Sequence, residues 1–205
     1  MAPVARGCVR WLSAVAAAAV LWACAPEKPV FHGTDLTGVE WGRELRLRDP
    51  EGRLRTIADF RGRVVLLFFG FVQCPDVCPS ALARALEVRR LLGAEGERVQ
   101  VVFVTVDPAR DTPELLREYV RAFDPGFVAL RGDEEETRAA AREFKVFYEK
   151  VPTGSSYTIN HSALTYAFDT AGRLRLAHRH TQTAAEVAAD VRVLLASSEK
   201  KGTER

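Results

Sequence analysis

From residue 64 onward the chain alternates between apolar runs and amphipathic stretches. Val64, Val65, Leu66, Leu67, Phe68 and Phe69 form an unbroken run bounded by Gly62 and Gly70, the pattern of a strand buried on both faces. A second such run is Val99-Gln100-Val101-Val102-Phe103-Val104-Thr105-Val106. Between the two, Leu82, Leu86, Leu91 and Leu92 recur near helical spacing, which predicts a βαβ unit with a parallel strand pair. Three further helix starts are written in the sequence. Thr112-Pro113 supplies an N-cap and a first-turn proline, while Asp133 with Glu136 and Thr183 with Glu186 have the spacing of capping boxes. Residues 127–130 and 163–168 read as strands, and Asp169-Thr170-Ala171-Gly172 turns the latter into a hairpin partner over 174–177. Upstream, Leu45-Arg46-Leu47-Arg48 alternates and Asp49-Pro50-Glu51-Gly52 makes a turn toward Leu54 and Ile57, predicting a short amphipathic hairpin ahead of the main sheet. The order β-α-β-α-β-α-β-β-α defines an α/β domain with a central sheet flanked by helices. The chain reads as free of internal repeats.

The N-terminus follows a different pattern. Residues 1–10 carry only positive charge, and residues 11–23 are an almost continuous apolar run, the profile of a signal peptide. At about 13 residues it falls short of the roughly 20 that a spanning helix needs. Leu21-Trp22-Ala23-Cys24 resembles a bacterial lipobox, in which the cysteine becomes the lipidated N-terminus, although Trp22 stands where small residues are usual. Lipidation of Cys24, an uncleaved anchor and plain secretion all place the domain outside the cytoplasm, and anchoring at the cell membrane facing the periplasm is the expectation. Residues 25–40, with prolines and glycines, read as a tether, residues 41–197 as the domain and 198–205 as a flexible tail.

Composition narrows the function classes. Formal net charge is +2, and Arg6 and Arg10 account for both charges, so the domain is neutral and lacks the basic patch that nucleic-acid binding requires. At 205 residues the chain can bury a core without disulfide staples.

Chemistry concentrates at two cysteines and one histidine. Cys8 lies in the signal and Cys24 at its end, which leaves Cys74 and Cys78 in the domain, within Phe71-Val72-Gln73-Cys74-Pro75-Asp76-Val77-Cys78-Pro79. They fall where the first buried strand hands over to a helix, at the carboxyl edge of the sheet where open α/β folds place ligands. Pro79 disfavours helical geometry at Cys78, so the helix is expected to start at Pro79 and the cysteines to share an irregular turn near its positive end. That position favours thiolate, the form that binds soft metal or attacks a disulfide. A disulfide closing so short a loop would constrain the unfolded chain little. His161, in Tyr157-Thr158-Ile159-Asn160-His161-Ser162, precedes the strand at 163–168 and can face the cysteine loop. Two thiolates and an imidazole suit Cu(I), and Cu(II) with a further weak ligand. A structural zinc site would want a fourth Cys or His at sensible spacing, and none is evident. Met1 is the only methionine, which excludes a thioether copper site. His178 and His180 read as exposed strand-end residues, and His32 falls in the tether.

The Cys74-Pro75-Asp76-Val77-Cys78-Pro79 stretch, then Asp107-Pro108-Ala109-Arg110-Asp111-Thr112, then His161-Ser162 ahead of a strand ending at Asp169, resemble the SCO/SenC proteins over about residues 45–195. The resemblance implies a thioredoxin-like fold and one copper ion per chain held by Cys74, Cys78 and His161. It also implies a role in assembling the dinuclear copper centre of cytochrome c oxidase, with the copper-receiving subunit as partner and another periplasmic copper chaperone as donor. Val72 departs from the family, where threonine is common. Asp107, Arg110 and Asp111 read first as a strand-end turn capping the next helix, or else as support for the metal loop. Asp76 can tune the thiolates electrostatically or serve as an ordinary residue near a helix start.

Two functions fit. A metal carrier needs all three residues. A thiol-disulfide oxidoreductase needs Cys74 and Cys78 as a reversible disulfide pair and leaves His161 peripheral. The Cys-x-x-x-Cys spacing, and the lack of a proline over residues 153–169 where such reductases place a cis-proline, favour the carrier over an enzyme.

Overall fold

The computed structural model describes residues 29–203, with side chains to residue 197. A six-stranded sheet runs in the order β1 (Thr34–Asp35), β10 (Leu174–Arg179), β9 (Leu164–Phe168), β4 (Val64–Gly70), β5 (Val99–Thr105) and β6 (Val128–Leu130). The strands β4, β5 and β6 are mutually parallel, and the pairings on the other side of β4 are antiparallel. Helices α1 (Val77–Leu92), α2 (Pro113–Arg121), α3 (Glu134–Glu143) and α4 (Ala184–Thr203) flank this sheet.

Every residue of β4 and β5 is buried, which is why both are continuous apolar runs rather than alternating ones. The polar residue inside β5, Gln100, is satisfied: its amide donates to the carbonyls of Val101 and Gly126 and its oxygen accepts from Arg63. The caps expected at Thr112, Asp133 and Thr183 all form: Thr112 accepts from the Leu115 N–H, and the other two close reciprocal boxes with Glu136 and Glu186. The amphipathic hairpin is β2 (Leu47–Arg48) with β3 (Leu54–Arg55), while Ile57 falls in a 3-10 turn, Ile57–Phe60, instead of extending the strand.

Four features differ from the sequence reading. First, α1 starts at Val77, not Pro79, so Cys78 lies inside the first turn. A proline in that turn has no intrahelical acceptor to lose and its ring meets no helical carbonyl. Second, a separate hairpin, β7 (Tyr148–Thr153) and β8 (Ser156–His161), stands outside the main sheet. Half of its residues are exposed and only Ile159 is buried, so no sustained apolar alternation announces it. Third, the stretch read as a tether joins the sheet edge through β1, and the His32 and Gly33 N–H groups donate to the Asp190 carboxylate on α4 at 2.9 and 2.8 Å. His178, read as exposed, is fully buried beneath it and lies 2.9 Å from the same carboxylate. A Cβ on Gly33 would stand 2.9 Å from the His178 ring, so only glycine lets the segment pass. Fourth, α4 continues to Thr203, past residue 197 where the tail was expected. The signal region and Cys24 lie outside the described residues.

The chain also carries a repeat. Asp49-Pro50-Glu51-Gly52-Arg53-Leu54-Arg55 and Asp169-Thr170-Ala171-Gly172-Arg173-Leu174-Arg175 share Asp-x-x-Gly-Arg-Leu-Arg. In both, the carboxylate accepts from the backbone N–H groups two and four residues on and from the arginine six residues on. Both glycines sit at nearly the same positive φ, 80° and 78°.

Candidate metal centre

Strand β4 ends at Gly70 and leads into the cysteine loop. Gly70 is required by a close approach: a Cβ there would meet the Cys78 sulfur at 2.7 Å and the rings of Phe103 and Phe68 at 2.9 Å, distances no real Cβ tolerates. Within the loop the Cys74 N–H bonds to the Phe71 carbonyl, and the first turn of α1 then brings the Cys78 N–H to 3.4 Å from the Cys74 sulfur. Cys78 is buried and Cys74 half-buried, and neither is in a disulfide.

His161 ends β8. Its Nδ1 lies 3.1 Å from the Ser162 carbonyl, a partner that can only accept, so Nδ1 carries a proton and Nε2 is the nitrogen free to ligate a metal. Nε2 points at Cys78 Sγ, 3.4 Å away. Phe68 and Phe71 hold the imidazole between them, each edge-on with centroids 5.9 Å away. The donor atoms of Cys74, Cys78 and His161 all lie within 4.8 Å of one another. Two sulfurs and an imidazole nitrogen form a soft set, suited to a monovalent soft ion and short of the fourth ligand of a closed zinc site.

The two thiols divide their proton unequally. Hydrogen bonding from Cys78, opposed by burial and helped by the N–H groups of Asp76 and Cys78, lowers the Cys74 pKa to about 5. The same bond, with burial, pushes Cys78 up. Cys74 is therefore a thiolate at neutral pH and Cys78 the thiol that shields it.

The loop after β5 reaches both halves of the site. Asp111, buried, takes the Val72 N–H at 3.2 Å and the Thr105 hydroxyl, so it fixes the backbone two residues before Cys74. Burial holds its own carboxyl above the usual range. Asp107, also fully buried, accepts from the Tyr157 hydroxyl at 2.8 Å and pairs with Arg110. Arg110 in turn donates to the Tyr157 carbonyl at 2.7 Å and lies over the Tyr157 ring, 3.7 Å from its centroid. Tyr157 is on β8, four residues before His161. Thus Asp111 clamps the cysteine loop, and Asp107 with Arg110 clamps the hairpin that carries the histidine. The simple capping role falls to Thr112 alone. Asp76 is exposed, and its carboxylate reaches Ser80 rather than either sulfur; only its backbone N–H serves Cys74.

The hairpin β7–β8 is what sequence reasoning missed, and with it Tyr157. The available signal was Gly154-Ser155, a two-residue turn with Gly154 at φ +61°, flanked by residues of modest strand propensity. Among the described residues no helix is long and apolar enough to cross a membrane.

The SCO1/SenC family profile matches residues 35–196. A SCO2-like protein from Rickettsia felis is 35% identical over 153 residues, covering 72% of this chain and 75% of its own. The structure of Bradyrhizobium japonicum ScoI with copper bound is 37% identical, with a TM-score of 0.69 over 77% of this chain and all of that one. The solution structure of apo Sco1 from Thermus thermophilus is 39% identical, with a TM-score of 0.71 over 81% of this chain and 98% of that one.

Proposed function

The chain belongs to the SCO1/SenC family, and on that premise we propose that it binds one copper ion through Cys74, Cys78 and His161 and delivers it to the copper-receiving subunit of cytochrome c oxidase. The observation that carries this is the convergence of two sulfurs and an imidazole nitrogen within 4.8 Å, on a loop and a hairpin that are separately clamped. The half-exposed Cys74 thiolate offers the first contact to incoming Cu(I) and, on transfer, the first place where a partner's sulfur can take over. Cys78, losing its proton as the ion binds, and His161 complete the set from the buried side. Residues 1–24 hold the domain at the membrane surface facing the periplasm, with Cys24 as the lipidated residue, and a second periplasmic copper chaperone supplies the ion.

The test is an anaerobic Cu(I) titration of the reduced full-length protein against a competing chelator. One ion per chain is expected, with affinity lowered strongly in both His161→Ala and Cys78→Ser. Binding indifferent to His161 would sink the carrier reading. The unequal thiols favour one second reading, in which Cys74 attacks a disulfide of the receiving subunit, Cys78 resolves the mixed disulfide, and the partner's two thiols are released. In that case Cys78→Ser traps a covalent adduct with a disulfide-bearing partner, and His161→Ala leaves the rate of reduction unchanged.

A further inference from the structure

At the end of β4 opposite the cysteines, a cleft of about 700 Å³ opens between the segment after β1 and the β9–β10 turn. Its volume is that of a small-molecule site. Every charged side chain that lines it is an arginine: Arg43, Arg61, Arg173 and Arg175. Val39, Trp41 and Leu174 supply an apolar wall, with Trp41 edge-on to Tyr166.

The charge is poorly compensated. Among the described residues Asp169 is the one carboxylate paired with these guanidinium groups, taking Arg173 at 2.7 Å and Arg175 at 3.4 Å. The Arg43 guanidinium reaches only the Val39 carbonyl, while its backbone N–H goes to the Glu143 carboxylate, and the Arg61 side chain makes no hydrogen bond or ion pair among the described residues. Glu40 and Glu44 belong to the same segment but do not line the cleft. Four guanidinium groups thus face one acid. Arg61 is exposed at the rim, next to Gly172, where a Cβ would lie 3.8 Å from its Cγ and 3.9 Å from its Nε.

We propose that this cleft binds an anionic phosphate ester carried on an apolar body. A planar carboxylate is already matched by two arginines, as Asp169 is. A tetrahedral phosphate offers acceptors to more forks, and Arg43 and Arg61 have donors to give. The tryptophan and aliphatic wall accounts for the apolar body. The seven residues of β4 separate the cleft from the cysteines by about 20 Å, so the phosphate and the copper sites are occupied independently. If the phosphate is a lipid headgroup, this face lies on the bilayer and the cysteines point away from it.

The test uses 15N-labelled full-length protein in an uncharged detergent, titrated separately with dihexanoyl phosphatidic acid and with inorganic phosphate. The Trp41 indole and arginine Nε–H resonances are followed. Saturable shifts with phosphatidic acid are expected, weakened about tenfold in R43Q/R61Q. Both substituted side chains are exposed and outside the Asp169 network, and an unchanged thermal midpoint verifies the fold of the variant. Saturation by phosphatidic acid and not by inorganic phosphate supports the proposal, whereas equal saturation by inorganic phosphate overturns it, because an ion without an apolar body would then suffice. Saturation by neither, or equal affinity in R43Q/R61Q, overturns the proposal.

Discussion

Cys74 and Cys78 are alike in type and only four residues apart, yet the fold makes them chemical opposites. Cys74 is half-exposed and receives hydrogen bonds, so its charge is spread over fixed donors. Cys78 is buried against Gly70 and can ionise only where a negative neighbour already stands. Alkylation by iodoacetamide should read this difference. With its pKa at about 5, Cys74 stays thiolate as pH falls from 8 to 6, so its modification rate is nearly flat over that range and halves only near pH 5. Cys78 should remain unmodified throughout in the folded protein, as counted by mass spectrometry after proteolysis. A rate for Cys74 that instead falls tenfold per unit from pH 8 downward, as for a free thiol, would show that the Cys78 hydrogen bond does not hold in solution. The Cys78→Ser variant offers the converse: with the thiol donor exchanged for a shorter hydroxyl, the Cys74 profile should move to higher pH.

At the scale of elements, the site depends on a hairpin that buries only Ile159 in the core, with Tyr148 and Tyr157 packed against it. β7–β8 carries His161 and is held to the domain by Arg110, Asp107 and Tyr157. Arg110→Ala removes the ring contact and the carbonyl bond and leaves Asp107 buried without its counter-charge, at a cost of roughly 3 kcal/mol. Tyr157→Phe removes one hydrogen bond from the same carboxylate, at about 1 kcal/mol. Thermal denaturation should rank them in that order, and Cu(I) affinity should fall in both, through His161, while the alkylation profile of Cys74 stays put. Arg110→Lys should not rescue, because an ammonium cannot stack on Tyr157 and serve both oxygens together. Equal stability of all three variants would mean that the hairpin is held elsewhere. The contrast with β4 and β5 explains what the sequence could disclose. Those strands are buried on both faces, so hydrophobicity alone locates them, and the cysteine loop between β4 and α1 follows from their ends. The β7–β8 hairpin answers to no such rule: half of its strand residues are exposed, Tyr157 serves contacts with Arg110 and Asp107 and His161 faces Cys78, and only Gly154-Ser155 marks its turn. His161 was identifiable because its place ahead of the 163–168 strand lets it complete a ligand set with the two cysteines, a reading the family resemblance shares, whereas Tyr157 carries no such chemistry and was not.

Across the whole molecule, the two Asp-x-x-Gly-Arg-Leu-Arg turns bracket the domain, one in the β2–β3 hairpin and one between β9 and β10. Hydrophobic periodicity passes over them because seven residues set mainly by hydrogen bonding have no period, although the identical letters were there to be compared. His178 was misread for a related reason: its burial comes from the docking of β1 and α4, neither of which is visible along β10 itself. The repeated turns predict how the domain responds to acid. Burial alone would push the carboxyls of Asp49 and Asp169 up, but the turn N–H groups and the arginines outweigh it, and both lie below the usual range. A carboxylate whose folded value is depressed adds stability that is fully present above its unfolded value, about 3.9, and is lost as pH falls below it toward the folded value. The thermal midpoint should therefore drop steadily from about pH 5 to about pH 3. Asp111, held above the usual range by burial, works in the opposite sense, because the folded state takes up its proton first. In D49N/D169N the carboxamides keep acceptors for the turn N–H groups but do not titrate, so this variant should be less stable at pH 7 and show a shallower slope between pH 5 and 3. A slope equal to that of the parent protein would place its acid sensitivity in other carboxylates and reduce the repeated turns to local devices.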